Sequence, residues 1–196
     1  MRMMRLRNKR GFTLIEMVVI LAVIGILAAV LTPMLTSYIS DAKQRRAESD
    51  VRTIGAAICA FNKDLRKWPI YETKDAATPV NVLYSGDPDA AEAADAAAKG
   101  FDTSSNADTL ENQLITNAPD YSTSGKRKWR GPYLESIDAD PWGHRYYVSV
   151  IGLQPGNSDN AAFVLSAGPD GTIDTDAEQT VSGFSAEDDD IVYRIK

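Results

Sequence analysis

A run of 24 mostly apolar residues, at positions 12–35, is the feature that most constrains how this chain can fold. A helix of about 20 apolar residues is long enough to cross the hydrocarbon of a membrane. The ten residues before the run include five basic ones, namely Arg2, Arg5, Arg7, Lys9 and Arg10. Because basic residues tend to stay on the cytoplasmic side of a membrane, we predict that the N-terminus is a targeting or anchoring segment.

Three interpretations of this segment compete. A secretory signal peptide would be cut near Ala28-Ala29, a plain transmembrane anchor would be kept whole, and a third kind of leader would be cut before the apolar run. Glu16 helps to decide, because a carboxylate inside an apolar helix costs about 2.5–3.5 kcal/mol on insertion. Neither a signal peptide nor a plain anchor has a use for such a group, so we expect Glu16 to have a function.

The octapeptide at positions 9–16, KRGFTLIE, resembles the processing motif of type IV prepilins and type II secretion pseudopilins. The resemblance implies that a prepilin peptidase cuts between Gly11 and Phe12 and methylates the new N-terminal Phe12. It also implies that Glu16 pairs with the N-terminal amine of a neighbouring subunit in a helical homo-oligomeric filament. Other pseudopilins and an inner-membrane assembly platform are the further partners that it implies.

A helical pattern continues beyond the apolar run. Five apolar residues recur at spacings of three and four and define one helix face: Val51, Ile54, Ile58, Phe61 and Leu65. Trp68-Pro69 ends the pattern, since the residue before proline is pushed out of the α region. We therefore predict a helix from Phe12 to about Lys67, roughly 80 Å long at 1.5 Å per residue.

The rest of the chain predicts an α+β, pilin-like fold with the long helix packed on a small antiparallel C-terminal sheet. Strands are predicted at 145–151, 161–165 and 191–195, and a short helix at 109–117. Residues 90–99 are predicted to form either a short helix or a partly disordered segment. The motif at 131–134, GPYL, and the turn motif at 140–143, DPWG, resemble the head of the major G-type pseudopilin of type II secretion. The predicted organisation is a cleaved leader (1–11), a stem helix (12–67, transmembrane over 12–35), a variable helical or loop insertion (68–130) and a sheet with a calcium loop (131–196).

Charge and composition disfavour several classes of function. The net charge is −6, and without the five basic leader residues it is about −11, which disfavours nucleic acid as a partner. The basic stretch at 123–130 is interpreted as a solvated loop rather than a docking site. The lone Cys59 is predicted to be a small core residue, and with it no disulfide can form inside the chain. No nucleophile–base set or phosphate-binding motif is recognisable, so we do not expect an enzyme.

Acidic residues cluster between positions 170 and 190. Hard oxygen ligands suit Ca²⁺, although composition alone supports a solvated acidic loop equally well. The resemblance to G-type pseudopilins implies a structural Ca²⁺ held by the carboxylates of Asp170, Asp189 and Asp190. It implies that the main-chain oxygens of Ala167 and Glu187 complete the site.

The resemblance implies a structural subunit of a periplasmic pseudopilus, anchored in the bacterial inner membrane by one pass with its head in the periplasm. Growth of the filament, driven by a partner's ATP hydrolysis, would push exoproteins outward. One alternative is a type IV pilus subunit for adhesion, motility or DNA uptake. The absence of a cysteine pair disfavours it, because many pilus subunits close their C-terminal loop with one. An alternative of another class is a membrane-anchored, calcium-dependent binding protein or enzyme.

The processing site can be tested directly on membrane-extracted protein. Expressed with a prepilin peptidase, the chain should begin at Phe12 and be about 14 Da heavier than the unmodified fragment, because one methyl group is added. Intact mass and N-terminal sequencing measure both features. An uncut chain, or a cut near Ala28, would contradict the prediction, and expression without the peptidase is the control.

Overall fold

The computed structural model describes residues 11–196, and most of the predicted leader (residues 1–10) lies outside them. The chain forms two compact units, one ending at Ala42 and the other spanning Lys43–Lys196. Helix α1 (Leu14–Leu65) begins in the first unit and ends in the second. The predicted long helix is thus confirmed, although it begins two residues later and ends two residues earlier than predicted.

In the first unit, the side chains of α1 are mostly apolar, and the large apolar ones are exposed. The large apolar residues with at least 44% of their surface exposed include Leu14, Ile15, Leu21, Ile26, Leu31 and Leu35. By length and composition, α1 is able to span a membrane. A patch of this size does not persist in water in a soluble monomer, so this segment needs lipid or another protein chain around it.

In the second unit, one face of α1 is buried in the core. All five residues of the predicted face, Val51, Ile54, Ile58, Phe61 and Leu65, are at most 7% exposed. They share a core with apolar side chains of the sheet, among them Leu83, Val148 and Val164. The Tyr146 hydroxyl also donates to Asp50 on the helix at 2.9 Å.

The sheet has five strands in the order β2-β1-β3-β4-β5. They are β1 (Val82–Tyr84), β2 (Ala107–Thr109), β3 (Tyr147–Ser149), β4 (Phe163–Ser166) and β5 (Ile191–Arg194). The three predicted strands correspond to β3, β4 and β5, which pair antiparallel. The sheet extends further than predicted, because β1 and β2 come from the region predicted as an insertion and pair parallel to each other, which makes the sheet mixed.

Two local predictions were wrong. Residues 90–99 form turns instead of a helix, with Asp95 at a positive φ of 58° and with bridges from Ala91 to His144 and from Ala94 to Thr172. Cys59 is exposed, because it lies beside the narrow buried stripe of α1 and not on it. The predicted helix at 109–117 is a short π-helical segment (Asn112–Thr116), and a 3₁₀ turn (Ile151–Leu153) follows β3.

The neighbours Ile58 and Cys59 allow a matched test of this packing. Ile58→Ala removes a fully buried side chain and should lower the free energy of unfolding by about 2–5 kcal/mol. Cys59→Ala, at an exposed position, should change it by less than about 0.5 kcal/mol. Denaturation of the full chain in detergent, followed by tryptophan fluorescence, measures both. Equal effects of the two variants would contradict the orientation of α1.

Candidate functional site

The start of α1 holds the predicted assembly carboxylate in a local hydrogen-bond network. The backbone N–H and the hydroxyl of Thr13 both donate to Glu16 Oε2 at 2.8 Å. The N–H of Glu16 donates back to the Thr13 hydroxyl at 3.3 Å. This reciprocal pair is a capping box, in which a Thr and a Glu three residues later satisfy free donors at a helix N-terminus.

Sequence reasoning missed the capping box, although the Thr-x-x-Glu spacing that signals it is present. Phe12 lies before the helix with 77% of its surface exposed, and, apart from its chain neighbours, no described residue has an atom within 4 Å of the place where a Gly11 side chain would begin. The predicted cleavage point thus lies in an accessible segment preceding a capped helix. The assignment of the cut itself stays a prediction.

The second candidate site is the acidic loop, residues 167–190, which connects two neighbouring strands. Its ends meet where Ser166 of β4 pairs with Ile191 of β5. The buried Asp140 fixes this end of β4, since its Oδ2 accepts the Ser166 hydroxyl at 2.7 Å. Asp140 Oδ1 accepts the N–H groups of Trp142 and His144, which confirms the turn predicted at 140–143.

Asp190 anchors the middle of the acidic loop to its end. Its Oδ2 accepts the N–H groups of Asp174 and Thr175 at 3.0 and 2.7 Å. The hydroxyl of Thr175, which is fully buried, accepts the N–H of Glu187 at 3.0 Å. The other oxygen of Asp190, Oδ1, is buried without a hydrogen-bond partner among the described residues.

Asp189 lies against the start of the loop. Its Oδ2 accepts the N–H of Asp170 at 3.3 Å. Gly168 makes this close approach possible, because it has a positive φ of 66° and any side chain there would collide with the backbone of Asp189. Asp189 Oδ1 is also buried without a hydrogen-bond partner in the described part of the chain.

Among the described residues, the carboxylates of Asp170, Asp189 and Asp190 form no salt bridge. Burial raises the pKa of Asp190, and burial followed by the charges of Asp170 and Asp188 raises the pKa of Asp189. Ionisation is thus disfavoured in the folded state, so stability falls as pH rises from the unfolded pKa through the folded one. Carboxylate oxygens of Asp170, Asp174 and Asp188 also lie within 4.8 Å of one another. Two orphaned oxygens beside such a cluster fit a divalent cation with oxygen ligands.

The structure brings together some of the residues that the resemblance implied as ligands. Asp170 and Asp189 are in contact, and Asp190 adjoins them with one oxygen already engaged by the loop. The Glu187 main-chain oxygen accepts a turn bond from the Asp190 N–H at 3.3 Å, and Ala167 is buried. Asp174 and Asp188 were not predicted as ligands, because their spacing in sequence carries no signal of their proximity. The ligand set stays a prediction.

Comparison with known proteins identifies two family models in this chain. Residues 6–32 match the prokaryotic N-terminal methylation motif, and residues 104–182 match protein G of the type II secretion system. Relatives called type II secretion system core protein G include one from Escherichia coli K12, 28% identical over 91% of this chain and 94% of its own length. Those from Aeromonas hydrophila and Pseudomonas aeruginosa are each 27% identical, over 88% and 89% of this chain and 92% and 96% of their own lengths. No solved structure gives a significant match.

Divalent cations should stabilise the acidic loop measurably. With Ca²⁺ at about 100 times its dissociation constant, the full chain should gain about 2.7 kcal/mol over the chelator-treated protein. Asp190→Asn keeps an acceptor for the two N–H groups but removes the charge. This variant should unfold at the same or a higher temperature in chelator and lose most of the Ca²⁺ response.

Asp176→Asn is the matched control for this test. Asp176 is an exposed carboxylate of the same loop that lies 3.6 Å from Lys99, and it should keep the Ca²⁺ response. Differential scanning calorimetry with Ca²⁺ and with chelator measures all three proteins. A wild-type melting temperature that does not respond to Ca²⁺ would overturn the cation assignment.

Proposed function

We propose that this chain, a major pseudopilin of type II secretion, is the repeating subunit of a periplasmic pseudopilus that pushes exoproteins out of the cell. The observation that carries the proposal is the apolar, exposed first part of α1, which begins with a single carboxylate. The N-terminal methylation motif at 6–32 and the protein G match at 104–182 support it. The relatives' shared name, type II secretion system core protein G, favours a pseudopilus over a type IV pilus.

The exposed apolar helix suits two successive environments. In the bacterial inner membrane, lipid covers it as a single transmembrane pass, with the head in the periplasm. In the filament, the same side chains pack against the helices of neighbouring copies, which replace the lipid. Because both surroundings are apolar, the transfer needs little net change in hydrophobic burial, and partners such as the inner-membrane assembly platform can drive it.

Glu16 favours the filament over the membrane and sets the axial position of each subunit. In the membrane its carboxylate is satisfied only by Thr13 of the same chain, as far as the described residues show. In the filament, the methylated amine of Phe12 on a neighbouring subunit supplies a positive charge. A charge pair in low dielectric is strongly favoured over a lone carboxylate, so docking removes a penalty and fixes the axial offset between subunits.

The remaining parts of the head have a structural role in this proposal. A bound Ca²⁺ would be held by Asp170, Asp189 and Asp190, joined by Asp174 or Asp188, and would supply positive charge that closes the acidic loop. The chain itself contributes no catalytic step. A prepilin peptidase processes the chain, a cytoplasmic partner hydrolyses ATP, and other pseudopilins share the filament.

Glu16→Gln tests the role of the charge separately from the role of the cap. Glutamine also serves as the third residue of a capping box, so helix initiation should be kept. Membrane insertion and the cut before Phe12 should persist. Filament yield should fall by more than about tenfold, because the buried Phe12 amine of the neighbouring subunit loses its charge partner. Shearing of filaments from cells that co-express the secretion genes measures this yield.

Glu135→Gln, at an exposed position in the head, is the control and should assemble normally. Secretion is measured in the same strains. Loss of filaments should leave exoproteins in the periplasm. Secretion that persists when this chain is deleted would contradict the proposed function.

A further inference from the structure

The far end of α1 opens into a basic pocket that the proposed function does not use. The cavity has a volume of about 330 Å³, and its lining includes Leu65, Arg66, Lys67, Lys74, Tyr121 and Arg127. We call it the distal basic pocket. It brings Arg127 of the basic stretch, which sequence analysis interpreted as a solvated loop, together with cations about 60 residues earlier in the chain.

Most of the positive charge in this pocket is not neutralised. Lys74 pairs with Asp120 at 2.7 Å. The side chains of Arg66, Lys67 and Arg127 form no salt bridge within residues 11–196. Asp75 also lines the cavity, but the cations of the lining outnumber it. In a protein with a net charge of −6, three cations without a salt bridge around one cavity point to an anionic partner.

The backbone at Arg66 is a second, independent sign that this side chain is needed. Arg66 follows the last residue of α1 and has a positive φ of 57°. Glycine is the usual residue at this position of a helix end, because a side chain makes the left-handed conformation unfavourable. An arginine held there in spite of its backbone preference suggests that its charge has a function.

The opposite end of the second unit is acidic. A groove of about 430 Å³ runs between α1 and the end of the acidic loop, and its lining includes Gln44, Glu48, Arg52 and the three aspartates 188–190. We call it the proximal acidic groove. Glu187 and Asp188 at its edge are exposed. A divalent cation would neutralise only two of the six aspartate charges of the loop, and it would leave the Glu187 carboxylate free.

These two surfaces are separated along one helix. From Glu48 to Arg66 the chain advances eighteen residues, which is about 27 Å along α1. Subunits whose helices pack in parallel are related by a shift along this direction. A contact between two different surfaces of identical subunits repeats without closing and produces a helical filament.

We propose that the distal basic pocket of one subunit receives the Glu187–Asp188 edge of the proximal acidic groove of a second copy of this chain. Charge complementarity between the two surfaces identifies the occupant. The contact rests on the proposed filament function and adds to it a head-to-head interface, distinct from the packing of the apolar helices. Arg66 and Arg127 are the cations that bind the partner's carboxylates.

Two substitutions separate this contact from subunit stability. Arg66→Gly removes the charge at a position where glycine suits the backbone, so the melting temperature of the chain should be unchanged or raised. Arg127→Glu places a negative charge against the acidic edge and should reduce the filament yield by about tenfold or more. Lys126→Glu is the matched control, since Lys126 is the exposed neighbour of Arg127 and does not line the pocket. It should assemble as the wild type does.

A charge exchange tests the identity of the partner. Glu187→Lys alone should reduce the yield, and in combination with Arg127→Glu it should restore at least half of the wild-type yield. The Glu187 main-chain oxygen is kept in this variant, so the predicted cation site is left intact. As a direct measure, Arg127→Cys and Glu187→Cys in a Cys59→Ser background should form disulfide-linked oligomers in filaments upon oxidation.

The outcomes distinguish this proposal from the proposed function. A wild-type chain that forms no filament would refute the filament role itself. Normal filaments from Arg127→Glu, or oxidation that gives no linked oligomers while filaments persist, would overturn the head contact alone. Failure of the charge exchange to restore assembly, with both single variants still defective and folded, would show that the pocket binds an acidic partner other than a second copy.

Discussion

The apolar face that α1 leaves uncovered among the described residues is the constraint on which the rest of the structure depends. In the second unit, one stripe of the helix is covered by the sheet, and its core residues are almost fully buried. In the first unit, the side chains are exposed on every side. A helix that is apolar all round requires an apolar environment, so this chain completes its fold only in lipid or among other copies.

The acidic loop is a long connection between two strands that is held closed without a disulfide. The 24 residues between Ser166 and Ile191 leave and re-enter the sheet at paired positions. Hydrogen bonds through Asp190 and Thr175 hold its middle. These bonds order the loop, but they also bring the carboxylates near Asp174 close to those at 187–190. The same contacts therefore increase electrostatic repulsion within the loop. A divalent cation relieves that repulsion, and this is the physical reason for expecting one even though Asp190 already orders the loop by itself.

Prediction from the sequence succeeded where the spacing of apolar residues by itself determined the local structure. The 3–4 spacing from Val51 to Leu65 is enough to identify a buried helix face, because helical geometry converts spacing directly into direction. It failed at 90–99, where an alanine-rich stretch of good helix formers is held in turns by bridges to His144 and Thr172. Strands β1 and β2 have three residues each, which is too short for an alternation of apolar and polar residues to be recognised. Only their pairing with other strands defines them. Long-range contacts of this kind also place Arg66 beside Arg127, which no local pattern indicates.

The acidic loop is then both part of the subunit and part of its interface. Its order depends on how its charges are compensated, and its edge, Glu187 and Asp188, is exposed to solvent. A cation that stabilises the loop also fixes the position of that edge, which reduces the conformational entropy lost when a neighbour binds it. A cation bound to the inner aspartates leaves the Glu187 carboxylate free, because Glu187 contributes only a main-chain oxygen to the predicted site. Closure of the loop therefore depends on the inner aspartates, whereas the Glu187 carboxylate stays available for contact with a neighbouring subunit.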